Sequence, residues 1–139
     1  MQWLFFALIS ATAAGATAIL AKIGVRDVPS ELATALRTAV VLVLAFAVVQ
    51  ARGEWVPLRA LTARTLVFLT LSGLATGVSW LAYFRALQLA PASRVAPIDK
   101  LSLPISIVLA ALVLGERMSW QLACGVTLMM LGALLTLAG

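Results

Sequence analysis

Three stretches of this chain, residues 1–21, 65–84 and 118–139, carry no charged side chain. A helix needs about 20 apolar residues to cross ~30 Å of hydrocarbon at ~1.5 Å per residue. Each of the three is long enough alone. Two shorter windows, 38–51 and 101–115, reach that length only by taking in charges. The second helix must include Arg37 and start near Ser30 or Glu31. The fourth must include Asp99 and Lys100 and start near Arg94. The pattern predicts an all-α, polytopic membrane protein: one domain over 1–139, a bundle of five transmembrane helices at roughly 3–22, 31–51, 65–88, 94–115 and 118–138.

Composition narrows the function classes. Of 139 residues, 63% are apolar and 11% charged, and mean hydropathy is +1.11. A soluble domain runs at ~45–50% apolar and ~25% charged, so this chain has too little polar surface to cover a soluble fold. Disordered chains, disulfide scaffolds and ordinary cytosolic enzymes are excluded. Ten Lys+Arg against five Asp+Glu leave +5. These charges sit between apolar runs, so anionic lipid headgroups are the simpler partner and nucleic acid is not expected. Cys124 is the single cysteine, and there is no His. Zinc sites and Ser/His or Cys/His catalysis are out, and no nucleophile–base pair or metal constellation suggests an enzyme or a cofactor. Residues 1–18 end in a cleavage-like Ala-Thr-Ala, but Met1-Gln2-Trp3 lacks a basic side chain and the apolar run continues. The segment therefore reads as a retained helix rather than a signal peptide.

The connections are short. Ser30 is the expected N-cap of span two, with Glu31 favourable in its first turn. The 52–64 loop is the longest, Pro91 sits between spans three and four, and Glu116–Arg117 with a neighbour makes a tight hairpin between four and five. No soluble domain is seen, so function is expected within the membrane or at its faces. One face would carry Arg52, Arg59, Arg64 and Arg117; the other Lys22, Arg26 and Arg94, with Arg37, Arg85 and Lys100 just inside it. Neither face has the excess that fixes orientation. Two readings stay open: a single orientation, or insertion both ways with antiparallel self-pairing into a ten-span transporter of inverted halves.

The second face is the informative one. Arg37 lies about 9 Å inside span two, Asp99 and Lys100 about 7.5–9 Å inside span four, and Arg85 about 4.5 Å from the end of span three. A charge this deep costs several kcal/mol unless it is paired or wet. Long stems can bend out to the headgroups, but a short carboxylate cannot, so Asp99 is expected to pair with Arg37, Arg85 or Lys100. Three cations around one carboxylate favour an anionic or zwitterionic solute if they face water. Trp80 and Tyr83 lie one turn apart on span three. Both fit an interfacial belt, but Trp80 is deep for a belt residue and is expected to line the cavity. Pro104 removes one backbone bond, frees the carbonyl of residue 100 and predicts a kink beside Asp99–Lys100. Arg37, Trp80, Tyr83, Arg85, Asp99 and Lys100 are thus the candidate substrate-binding residues.

Small residues mark candidate packing faces: Gly73-Leu-Ala-Thr-Gly77 in span three, Ala11/Gly15 and Ala14/Ala18 in span one, Gly125 and Gly132 in span five. Such faces let helix backbones approach closely. Most are expected to pack within the protomer, with span five (Gly125, Gly132, Ala133) the candidate homodimer seam.

Five segments carry a family resemblance: the run from Gly15 to Gly24, Ala35-Leu-Arg37, the run from Trp80 to Leu87, the run from Ala92 to Ser102, and Leu114-Gly115-Glu116-Arg117. In this order and spacing, which cover nearly the whole chain, the sequence resembles the EamA domain of the drug/metabolite transporter superfamily in its single-domain form. The resemblance implies a metabolite transporter, often an exporter, multi-pass in a prokaryotic inner membrane. Most members carry two such domains as inverted repeats, so a one-domain chain implies a homodimer. The family supplies no universal site residue. Leu-Gly-Glu-Arg is expected to cap and turn the last hairpin rather than bind substrate. Related small multidrug-resistance proteins have a buried Glu in their first helix; span one here has no acid, which argues against a cationic-drug/proton antiporter and leaves Asp99 as the candidate intramembrane proton carrier. The reading that follows is a secondary transporter of a small polar metabolite, working as an antiparallel homodimer by alternating access. The alternatives are a non-transporting subunit that packs against a larger partner and a lipid-linked-substrate flippase.

Overall fold

A computed structural model describes residues 2–137; the outermost residues of the first and last apolar windows, 1 and 138–139, lie outside them. The described chain is helical: α1 (Gln2–Gly24), α2 (Ser30–Arg52), α3 (Ala63–Leu89), α4 (Ala92–Asp99), α5 (Ser102–Leu114) and α6 (Trp120–Leu135), with one short 3₁₀ turn at Leu58–Ala60. Four stretches, Gln2–Gly24, Ser30–Arg52, Ala63–Leu89 and Ala92–Leu114, are long and apolar enough to cross a bilayer. The all-helical bundle expected from the charge-free windows is the fold observed.

Local chemistry sets the helix ends. Pro29, not Ser30, caps α2. Its ring holds an extended backbone (φ −53°, ψ 139°), and its carbonyl accepts the first helical bond from Ala33 N–H at 3.0 Å. Ser30 becomes the first helical residue and is buried, which corrects the expected cap. At the far end Gly53 takes φ +67°, with Gly53 N–H on Gln50 O (3.3 Å) and Glu54 N–H on Val49 O (3.2 Å). This is a Schellman stop, and it favours glycine because the left-handed region strains any Cβ. Trp55 then folds back, stacking on Phe46 at 5.8 Å and donating to Gln50 Oε1 at 2.8 Å. Thr62 caps α3 by accepting from Thr65 N–H (3.2 Å). Ser119 caps α6 by accepting from Leu122 N–H (3.2 Å). That cap places Met118 outside the last helix, so α6 is shorter than the 118–138 span expected and the hairpin before it is longer.

The fourth span is two helices rather than one. Pro104 has no N–H to give the Lys100 carbonyl, which instead accepts from Leu103 N–H at 3.0 Å. Leu101 N–H likewise bonds three residues back, to Ile98 O at 3.0 Å. The backbone tightens into 3₁₀-type bonding, and the α-helix stops at Asp99 and restarts at Ser102. The kink expected at Pro104 is therefore a break beginning on its N-terminal side.

The chain divides into two compact units. One spans Leu20–Gln88. Its tightest packing gathers around Val25 and Leu87, 1% and 0% exposed, with Phe84, Ser30 and Thr34 also buried. Side chains tie its turn down: Lys22 Nζ donates to the Leu87 carbonyl, and Gln88 Nε2 donates to the carbonyls of Val28 (2.8 Å) and Val25 (3.3 Å). The other unit takes the chain up to Ile19 and again from Leu89. There α6 packs along both α4 and α5, and Val95, Pro104, Val126 and Ala133 are buried.

Elsewhere the helices present Leu, Val and Phe outward, as Val43, Leu44, Phe68, Leu74 and Val78 do. That surface suits hydrocarbon as solvent. A Cβ built at Gly15, Gly73 or Gly77 would meet nothing within 4 Å, so these glycines are not the close contacts within the protomer that were expected; Gly125 and Gly132, expected at a homodimer seam, are likewise open.

Candidate functional site: a stacked arginine and a broken helix

Within the Leu20–Gln88 unit, α2 and α3 bring Arg37 and Trp80 together. The Arg37 guanidinium carbon sits over the Trp80 ring, 4.2 Å from its centroid, and 5.5 Å from that of Phe84. Arg37 and Trp80 are half-buried and Phe84 is buried. A desolvated cation on an aromatic face gains about 2 kcal/mol or more. Stacking engages the face of the guanidinium and leaves its in-plane N–H donors for a ligand. Within this unit no carboxylate lies at ion-pair distance from Arg37. Arg37 lies about 10 Å along α2 from Ser30, at ~1.5 Å per residue. It is therefore a cation held by rings, with no ion-pair partner in its unit.

Arg85 is placed differently. It lies exposed near the end of α3, and its Nη1 donates to Gln88 Oε1 at 3.1 Å. Gln88 thus uses its oxygen on Arg85 and its nitrogen on the α1–α2 turn, which fixes Arg85 to the same framework. Tyr83 is half-buried, its ring tilted 55° against Phe84 at 6.4 Å.

Asp99 and Lys100 belong to the other unit, where the helix breaks. Lys100 Nζ lies 3.3 Å from Asp99 Oδ2, with side-chain exposures of 53% and 34%. Of the three expected partners of Asp99, Lys100 is the one at ion-pair distance in its unit. The pair is partly wet, which is why neighbours in sequence can satisfy each other without deep desolvation. Arg37, Trp80, Tyr83 and Arg85 therefore share one unit, and Asp99 with Lys100 the other. Two contributors were absent from the sequence reading. Phe84, the second ring near Arg37, gives no signal distinct from an ordinary apolar residue. Gln88, the clamp, bonds to carbonyls some sixty positions away.

Four helices long and apolar enough to cross a bilayer, with a ring-stacked cation on one of them, define a polytopic membrane protein. Residues 1–138 match the EamA-like transporter family. The chain belongs to that family and is a membrane transporter. It is 49% identical over 134 residues, 96% of this chain and 95% of the relative, to a protein of Sinorhizobium sp. described as an uncharacterized transporter in the cobO 3′ region. No solved structure gives a significant match.

Proposed function

We propose that this protein is a secondary transporter that exports a small polar metabolite carrying an anionic group across the inner membrane, as an antiparallel homodimer working by alternating access. The observation that carries the reading is Arg37, stacked on Trp80 without a carboxylate partner in its unit. A permanently charged guanidinium at membrane depth is costly. It is retained where a carboxylate or oxyanion of the substrate can take its free N–H donors as a bidentate pair. Trp80 and Tyr83 then supply the apolar and polar walls and Arg85 a second cation; Asp99 and Lys100, in the other unit, are a separate candidate substrate contact beside the helix break.

The homodimer draws support from two observations. The Sinorhizobium relative is matched over 95% of its length, so it too carries one such domain. The open Gly125 and Gly132 positions on α6 lie about 100° per residue around from buried Val126 and Ala133, which leaves a small-residue seam for another helix. Broken helices such as α4–α5 line the sites of many transporters that rock between two inverted halves.

The test is counterflow in reconstituted vesicles with a panel of labelled small carboxylates and amino acids. The expected result is exchange of an anionic or zwitterionic solute that Arg37→Ala abolishes at unchanged expression. Exchange equal to wild type in Arg37→Ala removes the site. A C-terminal tag labelled from one side alone, on intact cells and on inverted vesicles, removes the antiparallel arrangement.

A further inference from the structure

A cavity of about 660 Å³ lies within the unit formed by the start of the chain and residues 89–139, between the first turn of α1 and the α5–α6 hairpin. Trp3, Ser106, Ala110, Glu116, Arg117 and Leu122 are among the residues that line it. We propose that this cavity is a selective site for one glycerophospholipid with a primary-amine headgroup, its phosphate on Arg117, its ammonium on Glu116, and the upper part of one acyl chain along α5 and α6.

The polarity of the lining is concentrated at one end. Both charges sit at one end, on the turn between α5 and α6. That turn is fixed at each side: Gly115 takes φ +69°, Glu116 N–H donates to Ala110 O at 3.3 Å, and Ser119 caps the next helix. Among the described residues neither Glu116 nor Arg117 makes an ion pair. A cation and an anion, adjacent and uncommitted, match a zwitterionic head better than either sign alone. From the turn inward the lining is apolar, with Ala110 and Leu122 on it. Ser106 lies about 12 Å deeper than the end of α5 at ~1.5 Å per residue, and its hydroxyl is already spent on the Ser102 carbonyl at 2.8 Å. The deep end thus asks for no hydrogen bond, which suits an acyl chain and not a water-soluble metabolite. Trp3, in the first turn of α1, also lines the cavity, and an indole at a helix end suits the headgroup level. The volume falls in the range of ligand sites, about 300–1,000 Å³, and takes a headgroup and part of one chain rather than a whole diacyl lipid.

Glu116 is what distinguishes the amine. An ethanolamine ammonium donates hydrogen bonds to a carboxylate, a choline cannot, and a glycerol headgroup leaves the lipid anionic beside Glu116. The experiment is native mass spectrometry of the delipidated full chain in mild detergent, titrated with phosphatidylethanolamine, phosphatidylcholine and phosphatidylglycerol of one chain length. The expected result is one retained lipid, with phosphatidylethanolamine favoured about tenfold, the worth of one charge-assisted hydrogen bond. Arg117→Ala weakens all three lipids; Glu116→Ala, which removes the acceptor, erases the preference for ethanolamine over choline. Ala110→Trp fills the cavity and abolishes retention, and Leu122→Trp does the same from α6 should the first variant fail to fold. Equal retention of the three lipids by wild type overturns the proposal. So does a preference unchanged in Glu116→Ala, or retention unchanged in both tryptophan variants.

Discussion

Arg37 and Lys100 are both cations inside apolar stretches long enough to cross a bilayer, and the protein accommodates them by different chemistry. Arg37 is half-buried and stacked on Trp80, with Phe84 beyond it and no carboxylate of its unit at ion-pair distance. Lys100 is half-exposed, 3.3 Å from the carboxylate next to it in sequence, at a point where the helix is interrupted. The difference concerns capacity. A ring stabilises a cation without using its hydrogen-bond donors, so Arg37 can still take an anion. A neighbouring carboxylate takes one donor of Lys100 and offsets its charge. Their surroundings differ in the same sense. Arg37 belongs to a unit whose turn is clamped by Lys22 and Gln88 around buried Val25 and Leu87. Lys100 sits where α4 gives way to α5 through weaker 3₁₀ bonds. The comparison ties the proposed recognition to the region clamped by side-chain hydrogen bonds and the proposed conformational step to the broken helix.

If that division holds, the largest effect falls on Arg37. Arg37→Ala lowers kcat/KM for transport about 100-fold, the cost of removing one partner of a desolvated charge pair. Arg37→Lys recovers little of it, because an ammonium neither stacks as a plane nor presents a bidentate fork. Recovery to wild-type rates by lysine, measured in reconstituted vesicles, breaks the contrast at its stronger end.

Trp80→Leu comes next. It keeps apolar bulk and deletes the π face, so about tenfold is lost, in line with a desolvated cation–π contact. The loss falls mainly in KM, because the ring positions Arg37 and does not itself move. A kcat effect with KM unchanged assigns Trp80 to the transport cycle instead. Asp99→Asn follows, with a loss of about fivefold or less at unchanged expression, since a half-exposed ion pair is worth ~0.2–1 kcal/mol. A loss as large as that of Arg37→Ala reverses the comparison and makes Asp99 the principal site residue.

Much of this was legible in the sequence because hydrocarbon is a demanding solvent. Charge-free windows located the spans, and the forced inclusion of Arg37, Asp99 and Lys100 identified the unusual charges before any geometry was known. Pro104 announced an interruption, although where the α-helix stops depends on how carbonyl 100 finds a new donor. Other features had no local signal. Ser30 followed by Glu31 reads as a helix start, yet the ring of Pro29 takes the cap. The Gly73 and Gly77 pattern says that a close approach is possible and says nothing of whether the partner lies in the same chain. The Gln88 clamp depends on carbonyls brought near by the fold, and a glutamine at a helix end advertises nothing.

The smallest effect is also the most direct probe of the flexible half. Pro104→Ala restores an N–H four residues after Lys100, where the carbonyl now accepts from Leu103 N–H at 3.0 Å. An α-type bond to that carbonyl becomes available, the proline ring no longer crowds the preceding turn, and α4 and α5 can run on as one helix. Stability rises by about 1 kcal/mol, one net hydrogen bond, and appears as a higher Tm in detergent. Turnover falls about two- to threefold while KM stays unchanged, because the ligand contacts of Arg37 are untouched and only the backbone freedom at the break is lost. The separation of the two readouts is what matters. A higher Tm with unchanged turnover means that the α4–α5 break is a packing accommodation and that the conformational step belongs elsewhere. A changed KM means instead that the break shapes the binding site, so recognition would no longer be confined to the unit that holds Arg37.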